Sequence, residues 1–294
     1  MIEILDNPDY MGVVEYANNI DLHDFSSEIY SQNNLNNIGR STNDDTLNIN
    51  HSHESPNFRS RIRFLILHNT VESFEVALND YFLNPGSVSA HYIIDTDGEI
   101  YQLVPTEKSA FHAGVSKWKD FEGLGLNDVS VGIELVNSGF EPFTEEQYIS
   151  VGKLSKNIVQ THEIHQNRVL SHCDIAPDRK QDVSGYFDWH RFYLDINSDL
   201  AEVFEVSSEY EILYTDQEYD SQKIKNLQQN LCDFGYVLDI DGEYGEQTLN
   251  TMMAFNQHFC PEVINLDDPK SIENGYCYKL SCDRLEKALA LLNK

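Results

Sequence analysis

A chain of 294 residues with 40% hydrophobic content is long enough for one large domain or two unequal ones around a real core. Its formal charge of −29, from 49 acidic against 20 basic residues, repels polyphosphates at long range, so nucleic acid is not an expected partner. No apolar run is long enough to cross a bilayer, and the start Met1-Ile-Glu-Ile-Leu-Asp-Asn-Pro8 lacks both a basic region and a hydrophobic stretch.

Neither a transmembrane segment nor an ordinary secretion signal is therefore expected, which favours a cytoplasmic location over a periplasmic one or non-classical export. Residues 1–57 are rich in Asn, Asp and Ser, as in Asn33-Asn-Leu-Asn-Asn37 and Ser41-Thr-Asn-Asp-Asp45, and read as a polar extension with a poor core. His51 and His53 fall in this solvated segment.

From Arg61 the pattern changes to short apolar runs between turn signals. Arg61–His68 reads as a buried strand, and Ser73–Leu83 as a helix with Phe74, Leu78 and Phe82 on one face, stopped by Asn84-Pro-Gly86. Ser89–Asp95 and Glu99–Val104 flank Thr96-Asp-Gly98 as a hairpin. Val129–Val136 is a further β-branched strand. It precedes a helix that starts at the cap Thr144, with Glu146 close behind, and runs to about His162. Val169-Leu170 leads into Ser171-His-Cys-Asp-Ile-Ala-Pro-Asp-Arg-Lys-Gln-Asp182. Strands mixed with helices in this order imply an α/β domain, a mostly mixed central sheet covered by helices, over residues 58–200.

Residues 201–220 read as an acidic linker, and 221–294 as a small all-α bundle. Ile224–Phe234, Gln247–Phe259 and Asp283–Leu292 carry its helices. Asp239-Ile-Asp-Gly-Glu-Tyr-Gly245 invites a calcium reading but lacks the spacing and terminal Glu of an EF-hand, so a tight turn between helices is expected. The five cysteines, Cys173, Cys232, Cys260, Cys277 and Cys282, form no close pairs of the CxxC kind and read as reduced thiols, with a bridge among the last four as the alternative.

The loop 171–182 concentrates groups that bind metal. A catalytic zinc site takes three protein ligands and leaves one position open. His172 and Asp182 supply two, and His68, at the end of an apolar strand, is the separated third. Cys173, Asp174 and Asp178 are local rivals to Asp182. On an extended segment Cys173 faces away from a metal held by His172, and Asp174 is placed to cap the turn at Ala176-Pro177. Glu134, a carboxylate inside the apolar Gly132-Ile-Glu-Leu-Val136, is the candidate general base, with an exposed Glu on an edge strand as its bland reading. Lys180 is the candidate cation for a developing oxyanion.

Five motifs in order carry a resemblance to a known family. They are Ile62-Arg-Phe-Leu-Ile-Leu-His-Asn-Thr70, Val88-Ser-Ala-His-Tyr92, Phe111-His-Ala-Gly-Val-Ser-Lys-Trp118, Val131-Gly-Ile-Glu-Leu135 and His172 to Asp182, flanked by Ser55–Phe58 and Phe187-Asp-Trp189. The chain resembles the zinc-dependent N-acetylmuramoyl-L-alanine amidases, of the AmiD type, in the superfamily shared with peptidoglycan recognition proteins and phage T7-type lysozymes. Leu227–Phe259, with the turn Asp241-Gly-Glu-Tyr-Gly-Glu-Gln-Thr248, is similar to a helical peptidoglycan-binding module.

The resemblance implies one Zn2+ held by His68, His172 and Asp182, with Glu134 as catalytic carboxylate and Lys180 as its polarising partner. It adds His112 and Trp118 as walls of a substrate groove. The implied substrate is peptidoglycan or a soluble muropeptide, cleaved between N-acetylmuramic acid and L-alanine in bacterial cell-wall turnover or muropeptide recycling. The rival readings are a non-catalytic peptidoglycan sensor and a zinc peptidase cutting within the stem peptide. The chain departs from the family pattern at Asn69, where an aromatic is common, and at Asp178 and Val183-Ser184, which replace Gly and Pro-Gly.

Overall fold

Six consecutive buried residues, Phe64–Asn69, form β1. A strand covered on both faces needs such an unbroken apolar run, and each Leu or Ile buried there contributes roughly 1.5–3 kcal/mol. Residues 60–121, 125–215 and 221–294 are described by the computed structural model; the polar segment 1–57 with His51 and His53, and the end of the acidic stretch at 216–220, lie outside the described residues.

After β1 the chain makes a three-residue helix, α1 (Phe74–Val76), that widens at once into a π-helix, Ala77–Phe82. The 3.6-residue spacing expected there is thus broken, while Phe74 and Phe82 still pack against Ala77, Ile93 and Val136. Strands β2 (Tyr92–Ile94) and β3 (Ile100–Gln102) pair antiparallel around the expected turn. Next comes β4 (Ser130–Leu135), and then α2 (Glu145–His162). Thr144 caps α2 as expected. The residue that completes its capping box is Gln147, three positions on, rather than Glu146.

β5 (Val169–Ser171) runs directly into α3 (His172–Ile175), followed by α4 (Trp189–Asp195). The sheet order is β3-β2-β4-β1-β5, with β4 parallel to both β1 and β2, β5 parallel to β1, and only β3 antiparallel. This is the expected mixed sheet covered by helices. β4 is its central strand, so the edge-strand reading of Glu134 does not hold.

The chain continues through β6 (Ile212–Tyr214), α5 (Ser221–Phe234), α6 (Glu246–Phe259), β7 (Cys277–Tyr278) and α7 (Lys279–Leu292), with β6 and β7 forming a small antiparallel ribbon. Between α5 and α6 the Asp241 carboxylate accepts from the Glu243 backbone N–H and from Gln228 Nε2, while Gly242 N–H donates to Gln228 Oε1. That is the tight turn expected there. All five cysteines are free thiols, with the Sγ atoms of Cys277 and Cys282 3.0 Å apart.

Ser60–Lys294 forms one compact unit, in which the C-terminal helices share a core with the sheet. Arg284 of α7 shows how closely: only 2% exposed, it donates to the carbonyls of Phe204, Val206 and Phe259 and pairs with Glu262. Trp118 is a second fastening. Its indole packs edge-on against Phe234 and Tyr236 over Gly235, whose backbone carbonyl accepts from Lys119 N–H. Gly235 has φ +146 and a Cβ there would lie 2.3 Å from the indole. Gly235→Ala should cost about 3 kcal/mol through overpacking and strain, seen as a lowered thermal midpoint; an unchanged midpoint would contradict this packing.

Candidate active site

The parallel register sets His68 of β1 beside Glu134 of β4, and paired residues on neighbouring strands share a face. Both strands end here, so the two side chains emerge at the carboxyl edge of the sheet, where open α/β sheets carry their sites. β5 delivers the remaining groups. Ser171 caps α3 through its hydroxyl and Asp174 completes the box, which turns His172 inward; the loop then doubles back to bring Asp182 alongside.

Three acceptor atoms converge. His68 Nδ1 lies 3.0 Å from His172 Nδ1 and 3.2 Å from Asp182 Oδ2, and His172 Nδ1 is 3.1 Å from that oxygen. The outer nitrogens fix which atoms carry hydrogen. His172 Nε2 faces the Ala113 carbonyl at 3.3 Å, which only accepts, so Nε2 carries the proton and Nδ1 a lone pair.

For His68 the proton can be traced through two more residues. Ser130 Oγ donates to the Leu126 carbonyl at 2.6 Å and so accepts from His112 Nε2–H at 3.0 Å. His112 Nδ1 is then bare and accepts from His68 Nε2–H at 3.0 Å, which leaves His68 Nδ1 free of hydrogen. Two imidazole lone pairs and a carboxylate oxygen, all within 4.8 Å of one another, form a group that can hold a metal ion. Their separations suit a tetrahedral ion with ligands at about 2.0–2.2 Å.

Burial holds the imidazoles of His172 and His112 in the neutral form. It lowers His172 to about 4 and, with the charges of neighbouring histidines adding, His112 well below its ordinary value. Burial pushes Glu134 the other way, up to about 7, with His68 and Lys180 opposing the rise and the negative charge of Asp182 adding to it. A carboxylate balanced near neutrality beside a metal-type cluster is what a general base requires. Lys180 follows the helical turn, its N–H bonded to the Ala176 carbonyl.

The candidates His68, His172, Asp182, Glu134 and Lys180 are therefore brought together. His112 is brought there too, in a different capacity: it is buried against His68 as an outer partner and does not form a groove wall. Trp118 does not line the site at all, being 1% exposed beneath the C-terminal helices. Asp178 lies on the surface. Cys173 does not join the cluster: it lies on a helix rather than an extended segment, its Sγ sits against Ser171 Oγ and Gln257 Nε2, and burial pushes its thiol well up. Asp174 caps no solvated turn. It is buried and accepts from Ser171 N–H, Tyr236 Oη and His258 Nδ1.

Gly132 was a readable signal for His112. Glycine within a strand marks close approach, and a Cβ at Gly132 would lie 2.4 Å from the His112 ring. His112→Ala should weaken metal binding about 10–100-fold, the range for outer partners of ligand histidines, measured by chelator competition; wild-type affinity would remove His112 from the chain of bonds. Two of the departures from the family pattern answer each other. Asn69 Oδ1 accepts from Ser184 N–H at 3.1 Å, and Val183 N–H, which proline would lack, donates to Ser171 Oγ at 3.0 Å.

A mixed sheet that gathers such a cluster and a half-buried acid at one edge defines a hydrolase site. The N-acetylmuramoyl-L-alanine amidase family model matches residues 58–184. The chain is 31% identical over 221 residues to the N-acetylmuramoyl-L-alanine amidase AmiD of Escherichia coli (strain K12), covering 70% of this chain and 77% of that one. It is 40% identical over 114 residues to the 1,6-anhydro-N-acetylmuramyl-L-alanine amidase AmpD of the same organism, spanning 39% of this chain and 61% of AmpD.

Among solved structures, the complex of Escherichia coli AmiD with the substrate anhydro-N-acetylmuramic acid-L-Ala-D-gamma-Glu-L-Lys matches with a TM-score of 0.65 at 25% identity, over 81% of this chain and 92% of that one. AMPDH3 from Pseudomonas aeruginosa in complex with anhydromuramic pentapeptide matches with a TM-score of 0.59 at 26% identity, over 78% and 94%. The chain belongs to the N-acetylmuramoyl-L-alanine amidase family.

Proposed function

We propose that the chain hydrolyses the amide between the lactyl group of N-acetylmuramic acid, in its 1,6-anhydro form, and L-alanine of the stem peptide, and so acts in muropeptide recycling. The observation that carries the reading is Glu134 beside the three converging acceptor atoms of His68, His172 and Asp182. A single Zn2+ fits the two imidazoles and one carboxylate, and when bound supplies a Lewis acid for water and the scissile carbonyl.

The chain's own residues move the protons. Ionised Glu134 accepts a proton from the attacking water and passes it to the leaving L-alanine nitrogen, while Lys180 stabilises negative charge developing on the carbonyl oxygen. The products are a free muramyl acid and an intact peptide with a new amino terminus. Exposed Phe111, Val115 and Phe140, on the segments that adjoin His112 and follow β4, supply apolar surface for a sugar face or stem peptide.

The test is mass spectrometry of products from isolated anhydro-muropeptides and from intact sacculi, side by side. The expected product is a whole peptide beginning with L-alanine, formed faster from the soluble fragment. Cleavage inside the peptide would establish a peptidase instead, and intact substrate with a zinc-loaded protein would establish a sensor.

A further inference from the structure

The last turn of α6 grips the loop that carries two of the three metal-type donors. Gln257 is 7% exposed, and its Nε2 lies 2.6 Å from the Gln181 carbonyl and 2.6 Å from the Val183 carbonyl. Both partners only accept, so the atom facing them is the amide nitrogen, and its two hydrogens match the two carbonyls. Those carbonyls flank Asp182 on either side. The next residue holds the loop's other arm: fully buried His258 donates from Nδ1 to Asp174 Oδ2 at 2.7 Å, receives Tyr193 Oη at Nε2, and stacks on Trp189. Asp174 in turn accepts from the backbone N–H of Ser171, and Ser171 Oγ donates to the Asp182 carbonyl at 2.9 Å.

We propose that Gln257 is a positioning residue of the metal site, and that α6 braces the ligand loop by fixing the Gln181–Asp182 and Val183–Ser184 peptide units on either side of Asp182. The inference rests on the reading of His68, His172 and Asp182 as metal ligands. Its physical basis is that a carboxylate ligand on a doubled-back loop has its oxygen placed by the backbone beneath it, and outer partners that fix a ligand tune metal affinity.

Asn256 offers a matched control. It too donates from one buried amide to two carbonyls, those of Asn274 and Tyr276, both inside the C-terminal part and away from the ligand loop. Asn256→Leu loses the same pair of donated bonds, and in addition the one its Oδ1 accepts from Ser281 Oγ, so it is the harsher change, yet only Gln257→Leu should disturb the metal. The experiment is Zn2+ titration of the full chain against a chromophoric chelator, with circular dichroism to confirm the fold.

The expected result is a 10–100-fold weaker Zn2+ affinity in Gln257→Leu, with the wild-type value kept in Asn256→Leu. Equal affinity in wild type and Gln257→Leu overturns the proposal. So does an equal loss in both variants, which would make the effect one of general packing. Should Gln257→Leu not fold, Gln257→Asn retracts the amide by one methylene, and an unchanged affinity there overturns the proposal in the same way. Failure of the underlying reading is visible separately, as a wild-type chain whose Zn2+ uptake His172→Ala does not alter.

Discussion

Glu134→Gln should leave a folded, metal-binding protein whose turnover is lower by about 10²–10⁴-fold, the share that a positioned general base supplies. The amide matches the carboxylate in shape but cannot take a proton from water, so kcat falls with little change in KM or in Zn2+ affinity. The pH dependence follows from the same residue. Burial raises Glu134 to about 7, and the base acts only when ionised, so activity rises with pH through its titration. A bound cation favours the ionised form and draws the midpoint down, which places the acidic limb between the ordinary glutamate value of 4.5 and about 7. Lys180→Met removes one of the charges that favour ionisation and should move that limb upward as well as slow the reaction. A rate profile flat from pH 4.5 to 8, or normal turnover by Glu134→Gln, would show that another group is the base.

His172→Ala should abolish stoichiometric Zn2+ binding and reduce hydrolysis to the level of a chelated wild-type sample. Two donors remain, and neither His68 nor Asp182 has a neighbour among the described residues that completes the group. Stability reports the loss independently of activity. A ligand that binds only the folded chain stabilises it by about 4 kcal/mol at a free concentration a thousand times its Kd. The wild-type melting temperature should therefore rise on adding Zn2+ and return with chelator, while that of His172→Ala stays fixed. A variant that still gains thermal stability from Zn2+ would place the metal elsewhere.

The inner strands of the sheet were legible because they are buried on both faces and declare themselves as nearly unbroken apolar runs. That pattern located β1 and β4, and with them His68 and Glu134 at the ends of neighbouring strands. The cap at Thr144 and the Thr96-Asp-Gly98 turn were legible because their chemistry is local. What escaped depends on partners far along the chain. Trp118 reads as a groove wall until Gly235 and the C-terminal helices cover it, and Asp174 reads as a turn cap until Tyr236 and His258 reach it. His112 was found but given the wrong work, since its neighbours Ser130 and His68 are set by strand register. Gln257 had no local signal at all, because a glutamine on a helix shows its use only when two carbonyls lie opposite.

Arg284 ties α7 to segments on either side of the C-terminal helices. The carbonyls of Phe204, Val206 and Phe259 and the carboxylate of Glu262 take their donor from a side chain on the last helix. Without that side chain the buried Phe259 carbonyl would lose its donor, at a cost of about 1–3 kcal/mol, and the half-buried carbonyls of Phe204 and Val206 would lose theirs. The core that holds the ligand loop beneath α6 is therefore tied to α7 as well, and loosening that helix frees the carbonyls of Phe204, Val206 and Phe259 to seek water instead.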